Sequence, residues 1–264
     1  MPNHLLSRRW RLGRGVLLPL LLSAAPAFTA TVTVLFNAPY SPSITVERTV
    51  DGGANWYLQD PGQFNFSLVS GPNGIPSQFY TFCVEPREFL SPGQTYTYNL
   101  ARVEDAATNI GGMGATKANL LRELLNDYYP DFSVAVDELH AAALQVSIWE
   151  IVRENQQGVG TYALSTGDVQ YRNWSDSGAC TPGQYTCVQD LAQLWLDSLT
   201  GTGGPYMQDV GALTLVGGVQ DVLVQFRGEN PLIPEPGTFL LTGTALILAW
   251  AGLRRTRRQS GRSR

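Results

Sequence analysis

From position 29 to about 100, apolar and polar residues alternate in short runs. TVTVLF, NWYLQ, QFNFSLV, QFYTFCV and QTYTYNL are rich in Val, Thr, Phe and Tyr, and SPS, DGG, DPG, GPNG and SPG separate them. β-Branched and aromatic side chains suit a pleated, half-buried surface, and Gly, Pro, Asn and Asp supply the turns between strands. In the middle of the chain the period changes from that of a strand to that of a helix. ATKANLLRELLNDYY (115–129) sets Leu120, Leu121, Leu124 and Leu125 on one face, and Pro130, which has no N–H to donate, ends the helix. A second helix is predicted from Asp137 to about Asn155, with acids at the end where the helix dipole is positive. CVQDLAQLWLDSL (187–199) predicts a third, and ALTLVGGVQDVLVQF returns to a strand pair turning at Gly217 and Gly218. The fold class expected is α+β with strands dominant: a β-barrel or sandwich with strands over 28–100 and 210–227, and a helical insertion at about 115–199. No fixed-period repeat and no long low-complexity linker occurs.

The two ends follow other patterns. Residues 1–27 join Arg8, Arg9, Arg11 and Arg14 to the apolar run GVLLPLLLSAA and an A-x-A site at Ala25 to Ala27, which reads as an export signal peptide; cleavage after Ala30 is the alternative. From Gly237 to Leu253 there is no charge, and a helix of that length, rising about 1.5 Å per residue, just crosses a thin bilayer core. Arg254, Arg255, Arg257 and Arg258 follow at once, a cytoplasmic stop under the positive-inside rule. On hydropathy alone this is a single-pass anchor. Pro234, Glu235 and Pro236 stand immediately before the span, and the order of triplet, span and Arg-rich tail resembles the PEP-CTERM sorting signal of Gram-negative bacteria. That resemblance implies an inner-membrane-anchored precursor cut by an exosortase-type membrane peptidase. The product would then lie at the cell surface, the outer membrane or the extracellular matrix. The expected organisation is a signal peptide (1–27), an ectodomain (28–230) and a sorting tail (231–264).

Charge narrows the partners. Of 18 basic residues, 4 lie in the signal and 6 in the tail, so 28–236 keeps 8 against 22 acids. Such a body repels phosphates, which argues against nucleic acid. Lys117 is the one lysine, explained either by arginine-rich codon usage or by selection against internal amines. Cys180 and Cys187 enclose TPGQYT, a turn that brings them together for a disulfide in an oxidising compartment, and Cys83 is left over. No cofactor and no metal site is expected, because His4 lies in the signal and His140, near a helix start, has no His or Cys at ligand spacing. Glu85 with Glu88, and Asp137 with Glu138, read as solvated acids.

One polar residue sits badly in its pattern. LQVSIWEIV (144–152) is apolar almost all round as a helix, yet it contains Gln145. A primary amide buried without partners costs about 1–3 kcal/mol, so Gln145 is either fully hydrogen-bonded or no longer an amide. FCVEP carries the odd Cys83 at the end of a β segment. Phe82, Cys83 and Val84, with Leu144, Gln145, Ile148 and Trp149, resemble the paired motifs of bacterial thioester adhesin domains, over about Phe79 to Val152. Leu144 departs from the Thr common at that position in Gram-positive surface proteins. The resemblance implies that Cys83 attacks the Gln145 carbonyl, ammonia leaves, and an internal thioester results. Phe82, Val84, Leu144, Ile148 and Trp149 are the expected dry pocket around it. A partner amine, most simply a lysine on a surface or matrix target, would open the ester once, so the chain is expected to be a covalent binding module and not a turnover enzyme. Two other readings stand: a non-reactive secreted β-domain binding polysaccharide or matrix through Trp56, Trp174 and Tyr185, and a cell-envelope hydrolase.

Overall fold

The computed structural model describes residues 30–40, 44–86, 89–155, 162–181, 184–201, 209–215 and 219–228. The signal peptide, the Pro-Glu-Pro triplet, the apolar span and the arginine tail lie outside the described residues. Among those described, no helix is long and apolar enough to cross a membrane.

Among the described residues, nine strands and three α-helices occur in chain order. β1 (Thr31–Tyr40), β2 (Val46–Thr49), β3 (Tyr57–Gln59), β4 (Gln63–Ser70), β5 (Gln78–Thr81) and β6 (Thr95–Ala101) come first. α1 (Gly114–Tyr128), α2 (Glu138–Arg153), β7 (Gln170–Arg172), α3 (Val188–Ser198), β8 (Val210–Thr214) and β9 (Val222–Gln225) follow. Six strands form an antiparallel sheet in the order β5-β4-β1-β6-β8-β9, and β3-β2-β7 form a second, smaller one. The protein is thus β-rich, with the helices between β6 and β8 as expected.

The large sheet buries alternate residues of its middle strand, Val32, Val34 and Phe36, against Phe66 and Phe79, whose rings stack at 5.7 Å. It does not close into a barrel, although its two edges come together at one place. The run QFYTFCV, expected as a single strand, changes partner within itself. Residues 78–81 pair with β4, which starts only at Gln63, after the turn residues Pro61 and Gly62. Beyond Thr81, one residue short of the start of β4, this pairing stops and the chain crosses to the opposite edge. Leu223 N–H donates to Phe82 O at 3.1 Å, Val84 N–H donates to Asp221 O at 2.9 Å, and Cys83 makes an isolated bridge with Val222. Cys83 therefore sits at the seam of the curled sheet.

The helical insertion is not purely helical. β7 lies inside it and pairs with β2, a strand whose sequence, VERT, carries no alternation that would reveal it. Arg172 of β7 binds Glu47 of β2 at 2.8 Å and covers the Trp56 ring at 3.8 Å. α2 is buried without a break from Ala141 to Val152. Asp137 caps its start by accepting from His140 N–H at 3.1 Å. At its other end Lys117 of α1 donates to Val152 O and Glu154 O at 2.8 and 2.7 Å, which satisfies carbonyls the helix leaves open. The expected disulfide joins Cys180 to Cys187, the residue before α3.

Candidate functional site

α2 brings Gln145 and Trp149, one turn apart, against the seam that holds Cys83. Gln145 Oε1 accepts from Cys83 N–H at 3.1 Å, and Gln145 Nε2 donates to Cys83 O at 2.8 Å. Both ends of the amide are therefore satisfied by the backbone of one residue. Of the two alternatives posed by the sequence, the first describes the unreacted amide, and burial of Gln145 is not by itself a sign of cross-linking. What the sequence could not give is the position of the sulfur: Cys83 Sγ lies 3.5 Å from Gln145 Oε1, and Trp149 Nε1–H donates to it at 3.3 Å.

Cys83 is buried, and desolvation pushes its thiol up to about 12, against the smaller opposing influence of the Trp149 hydrogen bond and the Arg48 charge. At neutral pH it rests as a thiol. The pair forms part of the floor of a cavity of about 260 Å³ that is also lined by Phe36, Pro39, Phe64 and Leu90. Leu58, Asp60 and Phe89, all exposed, mark where it opens to solvent. Of the five residues expected to wall the pair, Trp149 lines this cavity. Phe82, Val84, Leu144 and Ile148 are buried in the core and are not among its lining residues. Phe82 instead packs edge-on against Tyr129 at 5.4 Å.

The Cys83 segment is fastened by two buried carboxylates. Glu85 accepts from the N–H groups of Asn109 and Asp221 at 2.9 and 3.0 Å, and Asp221 accepts from those of Thr108 and Leu215 at 2.9 and 3.0 Å. Burial raises Asp221 to about 6, and the Glu85 charge adds to the rise. Glu85 is thus an internal clamp and not the solvated acid expected; Glu88 lies outside the described residues.

Sequence reasoning also missed Arg48. It is fully buried on β2, donates from Nη2 to Pro86 O at 3.1 Å, and sets its guanidinium 5.6 Å from the centre of the Trp149 ring. A lone arginine in ITVERTV gives no sequence signal; only the small sheet shows where it points.

The aromatic residues of the binding-module reading are dispersed. Trp174 is buried and packs on Tyr171, Trp56 is half-covered beneath Arg172, and Tyr185 is exposed. Among the described residues, the one cluster of His, Cys and acidic groups close enough to share an ion is Cys180, Cys187 and Asp190, and its two sulfurs are bonded to each other. Comparison with protein-family models, with curated proteins and with solved structures finds no match.

Proposed function

We propose that Cys83 and Gln145 form an internal thioester and that the protein is an exported module that captures a partner amine covalently. The observation that carries this reading is the sulfur 3.5 Å from the Gln145 carboxamide oxygen at the base of an open cavity. In forming the ester, Sγ bonds to the side-chain carbonyl carbon, the C–N bond breaks, and the thiol proton leaves with the nitrogen as ammonia. Cys83 N–H, already on Oε1, is placed to hold the oxyanion of the tetrahedral intermediate. Fixing both groups on packed elements supplies effective molarities of roughly 10⁵–10⁸ M, which offsets the uphill exchange of an amide for a thioester. Burial of Cys83 and Gln145, each 1% exposed, then limits hydrolysis.

The sole lysine fits this chemistry. Lys117 is 6% exposed and its ammonium is held by two carbonyls, so no internal amine competes for the acyl group among the described residues. The target is an amine-bearing surface or matrix component. Sorting through Pro234, Glu235 and Pro236 by an exosortase-type peptidase would deliver the module there.

Intact mass tests the thioester. The mature protein is expected to weigh one ammonia less than its sequence, disulfide included, and Cys83→Ala to restore that mass. Methylamine should add at Gln145 and expose one titratable thiol. Fresh native protein at full sequence mass would overturn the reading in favour of a non-reactive binding domain.

A further inference from the structure

Given the thioester proposed above, we propose that the Trp149 indole N–H is the catalytic group whose hydrogen bond stabilises the charge developing on Cys83 Sγ, and that Arg48 is the positioning residue that holds this indole in place. When an amine opens the ester, its nitrogen lone pair attacks the Gln145 acyl carbon and the C–S bond breaks. The bonding pair goes onto Sγ, and the proton shed by the new amide nitrogen ends on Sγ as thiol. The difficult moment is the appearance of a thiolate on a sulfur that the fold keeps 1% exposed. Burial holds the Cys83 thiol at about 12, so a bare thiolate there is a poor leaving group.

The indole supplies what solvent cannot. Its N–H already points at Sγ at 3.3 Å, and a donor aimed at a sulfur that becomes an anion is strengthened as charge develops. The same contact is weaker to a neutral thioester sulfur, so it favours the transition state over the ground state. Arg48 acts from the other side of the ring. Its guanidinium lies 5.6 Å from the ring centre, and its Nη2 donates to Pro86 O, three residues past the reactive cysteine. One side chain thus ties the indole to the segment that carries the sulfur. Its positive charge also favours the thiolate.

The experiment follows aminolysis by methylamine, with release of the thiol and gain of mass read in parallel. Trp149→Phe keeps the ring and removes the donor; it is expected to retain the ammonia deficit while reacting roughly 10- to 100-fold more slowly. Arg48→Lys should keep the charge and restore much of the rate lost in Arg48→Gln. A Trp149→Phe protein that keeps the deficit and reacts at the wild-type rate overturns the inference and leaves the thioester intact. The point is checked without substitution in ¹⁵N-labelled wild-type protein, whose body holds Trp56, Trp149, Trp174 and Trp195. The Trp149 indole N–H resonance should shift on methylamine treatment, and an unmoved resonance overturns the role. Wild-type protein lacking the ammonia deficit sinks both readings, and the mass alone reports it.

Discussion

Glu150 follows Trp149 on α2 and is fully buried, with Glu154 one turn further on and the Lys117 ammonium nearby. Desolvation first, and the Glu154 charge second, push its carboxyl from an ordinary 4.5 up to about 9. The folded protein therefore binds a proton that the unfolded chain releases. Stability from this group is complete below the unfolded value and declines as pH rises toward the folded one. Asp221, raised to about 6, acts in the same sense at lower pH, and Lys117, lowered by desolvation, acts in the opposite sense toward high pH, so Glu150 is read from the difference between the wild type and a Gln variant. Glu150→Gln keeps the shape without the proton, and is expected to be more stable than the wild type by ~3 kcal/mol near pH 7, with the difference growing toward about pH 9. Denaturant unfolding at several pH values checks it, and an identical pH slope in both proteins would count against a protonated Glu150. The neighbouring Gln145 contrasts with it: its amide has both ends bonded to the Cys83 backbone, so it needs no change of charge to be buried.

The elements around the site differ in how they are secured, and the disulfide secures one of them. Cys180 and Cys187 are 7 residues apart, and the bridge ties the turn at Ser177–Ala179 to the start of α3, where Asp176 also accepts from Val188 N–H at 2.8 Å. A loop that short removes little unfolded-state entropy, so Cys180→Ser with Cys187→Ser should cost about 2 kcal/mol and lower Tm by roughly 4–8 °C. Neither cysteine lines the cavity, so the ammonia deficit should be unchanged; its loss would mean that α3 positions α2 more tightly than its contacts imply. The three helices were legible in the sequence because leucine spacing, an Asp cap and Pro130 mark them. β2 and β7 were not, since runs of 4 and 3 residues carry too little alternation to separate from loop. The strand from 78 to 84 was legible as extended chain, but its change of partner was not, because where β4 begins decides it. The same division holds at the site. Cys83, Gln145 and Trp149 could be picked out by residue type and context, whereas the cavity wall could not. Phe36 and Phe64 line it from distant strands, and Phe82, adjacent in sequence, turns to Tyr129.

At the scale of the whole molecule, what matters is where the last described contacts lie relative to Pro234, Glu235 and Pro236. β9 stops at Gln225, Phe226 is buried, and Arg227 N–H donates to Gly74 O at 2.7 Å, the last such tie along the described chain. The Pro234-Glu235-Pro236 triplet stands only a few residues beyond, and both Cys83 and its bridge partner Val222 lie on the folded side of it. Under the proposed reading, a cut at the triplet leaves every described residue in place, so the pair of Cys83 and Gln145 should survive processing unchanged. Replacing Pro234, Glu235 and Pro236 with Ala is therefore expected to separate sorting from chemistry. An uncut form should accumulate in the inner membrane at the mass of the signal-cleaved chain, still one ammonia light and still reactive with methylamine. If the variant reaches the surface with the wild-type mass and distribution, the tail is a simple anchor. If it stays in the membrane without the ammonia deficit, closure of the thioester depends on release from the tail, and the packed seam between β5 and β9 is not sufficient for it.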